Sequence, residues 1–214
     1  MTDSYIASNT SRGQSRRLTT NERRQEIVVT VLSLARERGP DAITTQAIAD
    51  RMGLTQGAVF RHFPDKQAIW LAVFAWVREA LGAAVSAAVE KADSPLARIE
   101  RAFLAHVTFV AANPGVARVM FHEMQYPGDS PVRAEVYAMI TSYRQRLTLL
   151  FAQAKTAGDL PRDLDATLAP VLFIGAVQGL VIDASLAGDE AGMVRRGRKL
   201  LPLLLDGYRG RMKP

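Results

Sequence analysis

The chain has 214 residues, 48% of them hydrophobic and 22% charged, with no cysteine and a net charge of +6. That length holds one large domain or a small one joined to a larger one, and the missing cysteines exclude a disulfide framework or a thiolate metal site. The basic excess is spread: residues 1–66 hold ten Lys/Arg against seven Asp/Glu and residues 67–214 hold seventeen against fourteen, +3 in each part, so any nucleic-acid argument must rest on local placement.

Residues 1–18 are rich in Ser, Thr, Asn and Arg and read as a disordered arm, made basic by Arg12, Arg16 and Arg17. Such an arm is either a solvated tail or an extension that reaches DNA phosphates or a minor groove. Thr19 followed by Glu22 is a capping-box start, and Ile27, Val31, Leu34 and Ala35 then recur at helical spacing up to the stop signal Gly39-Pro40. Thr44 or Thr45 caps a short helix carrying Ile48, Ala49 and Met52, which Gly53 ends as a residue free to turn left-handed. Thr55 caps the stretch LTQGAVFRHFPDK (Leu54 to Lys66). At about 100° per residue, Gln56, Gly57, Phe60 and Arg61 share one side of that helix, and Ala58 and Val59 the other. Asp65 caps a fourth helix. Two short helices joined through a three-residue turn around glycine form a helix-turn-helix pattern.

The remainder also reads as helical. A long apolar helix runs from Lys66 towards Lys91, and Ser94-Pro95 opens the next, closed by Asn113-Pro114-Gly115. A short helix covers about 114–123, turn chemistry fills 126–131, and a long helix covers about 132–156. Two final helices are predicted at about 165–187 and 189–208, with Pro202 kinking or breaking the last. No run reaches about 18 uninterrupted apolar residues, and no early stretch reads as a signal peptide. The expectation is a soluble cytoplasmic protein, all-α with about nine helices, that engages no membrane.

The stretch TTQAIADRMGLTQGAVFRHFPDKQAIW, within residues 22–70, resembles the DNA-binding region of the TetR (tetracycline-repressor-like) transcriptional regulators. The resemblance rests on Gly39, Thr44-Thr45, Ile48-Ala49, Gly53, the run Gly57 to Phe63, and Lys66. It implies a disordered arm over 1–18, a three-helix DNA-binding domain over 19–66, and a helical effector-binding and dimerisation domain over 67–214. The helix from Thr55 to about His62 would lie in the major groove. Gln56 and Arg61 are its candidates for base edges or phosphates, and Gly57 lets backbone approach DNA. Thr44, Thr45 and Gln46 would meet the sugar-phosphate backbone, and Lys66 and His62 would hold phosphates. Position 60 is usually tyrosine in this family; Phe60 keeps the ring and lacks the hydroxyl. Ala58 likewise stands where Ser or Thr is common.

The resemblance also implies a homodimer through the last two helices, where Gly175 and Gly179 permit close approach and Leu200, Leu201, Leu203, Leu204 and Leu205 exceed one narrow stripe. Arg195, Arg196, Arg198 and Lys199 read as its solvated rim. A small-molecule effector site is expected in the second domain, from Trp76, Phe103, His106, Phe109, Phe121, Met124, Tyr143, Phe173 and Gln178. His106, Gln178 and Asp183 are its polar markers, and plain core is the competing reading for every aromatic. No cofactor or metal is expected, since His106, His122 and Glu123 match no standard ligand spacing. The chain has no nucleophile elbow, phosphate loop or dinucleotide fingerprint, so an enzyme is not expected. The leading reading is a homodimeric repressor released from a palindromic operator by a small, largely apolar ligand. The alternatives are a constitutive DNA-binding protein without effector, and a helical ligand-binding or enzymatic domain with a vestigial helix-turn-helix.

Overall fold

Side-chain caps set where most of the helices begin. The computed structural model describes residues 19–125 and 128–210, and no strand occurs among them. The basic arm at 1–18 lies outside the described residues. The Thr19–Glu22 capping box closes on both sides, with Thr19 N donating to Glu22 at 2.7 Å and Glu22 N to Thr19 at 3.2 Å, and opens α1 (Thr20–Glu37). A 3₁₀ turn at Pro40–Ala42 leads to α2 (Thr45–Met52), capped by Thr44. Gly53 sits at φ 64, the left-handed value a glycine adopts at low cost, and turns the chain into α3 (Gln56–Phe60), capped by Thr55. Asp65, Ser94 and Ser130 cap α4 (Lys66–Val89), α5 (Pro95–Ala112) and α7 (Pro131–Thr156), with α6 (Pro114–Gln125) between the last two.

The final helices start later than the sequence suggests. The Asp165 carboxylate accepts the amides of Thr167 and Leu168, holding a turn that delays α8 to Ala169–Ala187. The Asp189 carboxylate accepts from Gly192 N in the same way and delays α9 to Met193–Tyr208. Nor does Pro202 break α9, which runs through it with the proline exposed.

Helices α1 to α3 form a head around Ile27, Val31, Leu34, Ile48, Val59 and Phe63. In the body, α5 is central and packs against α4, α7, α8 and α9. Head and body meet along α4 and, more extensively, where α6 lies on α1. There Gly115 is indispensable: a Cβ on it would stand 2.1 Å from the Leu32 carbonyl oxygen and 3.3 Å from Arg36 N.

By length and composition alone, α4 and α8 are apolar enough to cross a membrane. In α8 one face, with Phe173, Val177 and Leu180, enters the core, while Val171, Leu172, Ile182 and Leu186 stay exposed. A Cβ on Gly175 or Gly179 would meet nothing within 4 Å. These glycines therefore do not serve packing within the chain. Gly179 and Leu172 of α8, with Leu203 and Gly207 of α9, line an open apolar groove.

Candidate DNA-binding face and ligand cavity

Helix α3 divides as its phase predicts. Ala58 and Val59 are buried, whereas Gln56, Gly57 and Arg61 are exposed and Phe60 is 42% exposed. A Cβ on Gly57 would meet nothing within 4 Å, so the backbone is open there. Ala58 is 9% exposed, at the margin of the head's packed interior. Phe63 is fully buried.

Polar side chains around α3 are held in place. Gln56 Nε2 donates to Thr45 Oγ1 at 2.7 Å, tying the first residues of α3 and α2 together. Gln46 Nε2 donates to Asp50 at 2.6 Å, and the Thr44 hydroxyl is engaged as a cap. The Arg61 guanidinium and the Lys66 ammonium have no partner among the described residues and are both exposed. His62 is half-buried, with Nδ1 buried and lacking a hydrogen-bond partner. Sequence reasoning missed Arg24. From α1 its guanidinium donates to the His62 carbonyl at 2.6 Å and lies 4.2 Å from the Phe63 ring centre, pinning the end of α3. No sequence spacing links positions 24 and 62; only the fold brings them together.

The body contains an apolar cavity of about 170 Å³. His106 and Phe109 from α5, Phe121 and Met124 from α6, Tyr143 from α7 and Gln178 from α8 line it, six of the nine residues singled out in the sequence. Aliphatic side chains, among them Leu81, Met120, Ile140 and Val177, complete the wall. Three expected residues do not reach it. Phe103 and Phe173 are fully buried and pack edge to face at 5.4 Å, behind His106, which stacks on Phe173. Trp76 lies against Phe109 at 6.1 Å, outside the lining. Asp183 is also excluded: it is exposed and its carboxylate meets Arg196 Nε at 2.9 Å. Arg196 is therefore half-buried between Asp183 and Asp189 and is not a plain rim residue.

Within the cavity wall, the His106 imidazole faces the Tyr143 ring edge to face at 5.2 Å, and Nδ1 is 3.1 Å from the Tyr143 hydroxyl. Burial lowers the His106 pKa to about 4 and raises that of Tyr143, so both groups are neutral near pH 7.

Comparison with known proteins follows this division. Residues 27–73 match the family model described as bacterial regulatory proteins, tetR family, and residues 92–182 match a tetracyclin repressor-like C-terminal domain. Nucleoid occlusion factor SlmA of a Marinomonas species is 23% identical over 183 residues, covering 86% of this chain and 88% of its own. Among solved structures, the fatty acid degradation regulator FadR from Bacillus halodurans superposes with a TM-score of 0.76 at 17% identity, over 87% of this chain and 96% of that one. FadR from Bacillus subtilis in complex with stearoyl-CoA superposes with a TM-score of 0.73 at 18% identity, over 86% and 98%. These superpositions speak for the fold. With its head and body matching successive family models, the chain belongs to the tetR family of bacterial regulatory proteins, DNA-binding transcriptional regulators that are not enzymes.

Proposed function

We propose that the protein is a homodimeric repressor that leaves a palindromic operator when a small, largely apolar ligand fills the body cavity. The observation carrying the reading is the pairing of an outward face on α3, where Gln56, Phe60 and an unpartnered Arg61 stand exposed, with an apolar cavity walled by α6, the helix that also packs on α1. Gln56, Phe60 and Arg61 would enter the major groove, with Gly57 allowing close approach. Thr44, Thr45, Gln46, Thr55, His62 and Lys66 would line the phosphates. The exposed groove of α8 and α9 would join two chains, so that two heads meet successive major grooves. Ligand would bind better to a dimer whose heads are wrongly spaced. FadR from Bacillus subtilis, which shares this fold, forms a complex with stearoyl-CoA, a molecule with a long apolar chain, and that supports a ligand-responsive reading.

The test is binding to a palindrome from the protein's own promoter, followed by fluorescence anisotropy across a salt series. Arg61→Ala is expected to cost about 1–3 kcal/mol. Lys66→Ala is expected to weaken binding to all sequences alike and lower the salt slope by about one. If both variants bind as tightly as the parent, the groove assignment is wrong. Phe60→Tyr restores a hydroxyl beside the phosphates and is expected to tighten operator binding by at least about threefold, through a hydrogen bond to a charged oxygen. Unchanged or weaker binding would count against the outward role of position 60. Tight operator binding that no compound relieves would favour the constitutive alternative.

A further inference from the structure

The cavity wall limits the chemistry of what it can hold. Among the described residues, no Asp, Glu, Lys or Arg lines it. A carboxylate or ammonium placed there would lose its hydration with no counter-charge, a penalty its hydrogen bonds could not recover. The wall is not purely greasy either. His106 Nε2 and the Gln178 amide have no hydrogen-bond partner among the described residues, and both residues line the cavity. The His106–Tyr143 pair is adaptable. If the tyrosine donates to Nδ1, the imidazole offers Nε2–H as a donor. If Nδ1–H donates to the tyrosine, Nε2 accepts and the phenol hydrogen is free. A second compartment, about 260 Å³, shares Val110, Ala117, Phe121 and Val181 with the first and reaches outward to Arg118, Ser185 and Glu190, the last 3.4 Å from Arg36.

From these features we infer that the ligand is an uncharged molecule whose hydroxyl or carbonyl group meets the His106–Tyr143 pair and Gln178, with an apolar body that extends past Phe121 into the second compartment. This rests on the proposed ligand-released function and specifies its ligand class. The first compartment alone suits a single-ring molecule, being close to the roughly 150 Å³ of an engineered protein cavity that takes benzene. A longer body needs the second.

The experiment uses the full chain and matched probes: toluene, benzyl alcohol, acetophenone, benzoate and heptanophenone, each titrated with affinity read by ligand-observed NMR. Benzyl alcohol and acetophenone are expected to bind about threefold to tenfold more tightly than toluene, the worth of one neutral hydrogen bond. Benzoate is expected not to bind in the same range. Heptanophenone is expected to bind at least about tenfold more tightly than acetophenone through its longer buried chain. Tyr143→Phe should abolish the preference for alcohol and ketone over toluene while leaving toluene affinity unchanged, and Gln178→Leu provides an independent second variant with the same expected direction. Benzoate binding as tightly as benzyl alcohol, a preference that survives both substitutions, or heptanophenone gaining nothing over acetophenone would overturn the inference while leaving ligand release standing. If none of the five probes binds a folded protein, both this inference and the ligand-release reading fall.

Discussion

A Gly115→Ala variant is expected to melt about 6–12 °C below the parent, the equivalent of about 3 kcal/mol in a chain of this size. The added methyl would lie 2.1 Å from the Leu32 carbonyl oxygen and 3.0 Å from its carbonyl carbon. Both are backbone atoms inside α1, so no side chain can rotate out of the way. The helices must move apart, which loses packing along the main contact between head and body. Gly39→Ala supplies the control, since a Cβ there meets nothing within 4 Å; it is expected to change stability by less than about 0.5 kcal/mol. Differential scanning calorimetry on the three proteins decides the matter. A Gly115→Ala protein that melts with the parent would show that α1 and α6 yield easily. Under the proposed function the same variant should also bind operator more weakly without ligand, although no DNA-facing residue has changed.

That second expectation follows from where α6 stands. Its Val116, Met120, Phe121 and Met124 line the cavity, while Gly115 touches α1 and His122 Nε2 lies 3.4 Å from Asp41 in the turn after α1. Behind them, Arg36 at the end of α1 approaches Glu190 of the body at 3.4 Å. A ligand that presses on one side of α6 has a close-packed backbone contact on the other through which to move the head. In the sequence α4 is the visible link between head and body, since it runs on directly from the helix-turn-helix. The structure adds α6 as a more extensive contact, and long-range packing of this kind leaves no periodic trace in the chain.

What the sequence disclosed was what local chemistry controls. Thr19, Thr55, Asp65 and Ser94 each cap a helix through a backbone amide three residues away, so their effect is written within one turn. The division of α3 into buried Ala58 and Val59 and outward Gln56, Phe60 and Arg61 is a matter of phase alone. The starts of α8 and α9 were misread because Asp165 and Asp189 fold their own flanking amides into turns, an option helical periodicity does not register. The cavity was legible in outline. Searching for aromatic residues located Phe109, Phe121 and Tyr143, but also drew in Phe103 and Phe173, which face each other, and Trp76, which lies outside Phe109. Aromatic residues at helical spacing look alike in sequence whether they face a void or a neighbour. The aliphatic wall, and Arg24 at the end of α3, depend on contacts between distant segments that no single stretch encodes.

Lowering the pH from 7.5 to 5 is expected to cost the protein about 2 kcal/mol through His106 alone, lowering its melting temperature by about 4–8 °C. In the unfolded chain the imidazole takes up a proton at its ordinary value of 6.5, whereas burial in the folded protein holds it at about 4. Between those values the unfolded state binds more protons than the folded state. The stability gained by keeping His106 neutral is therefore complete above about pH 6.5 and drains away as the pH falls towards 4. Glu22, Glu37, Asp165 and Asp189 have pKa values lowered from the carboxylate range by hydrogen bonds, so they also favour the folded state at higher pH, but their loss begins below about pH 4.5. The interval from 6.5 to 5 thus lies above the loss from those four carboxylates. His106→Asn removes the titration while keeping an amide near the position of Nδ1, and should flatten the dependence over that interval, whatever its own baseline stability. A variant whose melting temperature falls as steeply as the parent's would mean that the imidazole takes up its proton in the folded body as readily as in the unfolded chain. A charge beside Tyr143 would then be present in the cavity, and the argument for an uncharged ligand would go with it.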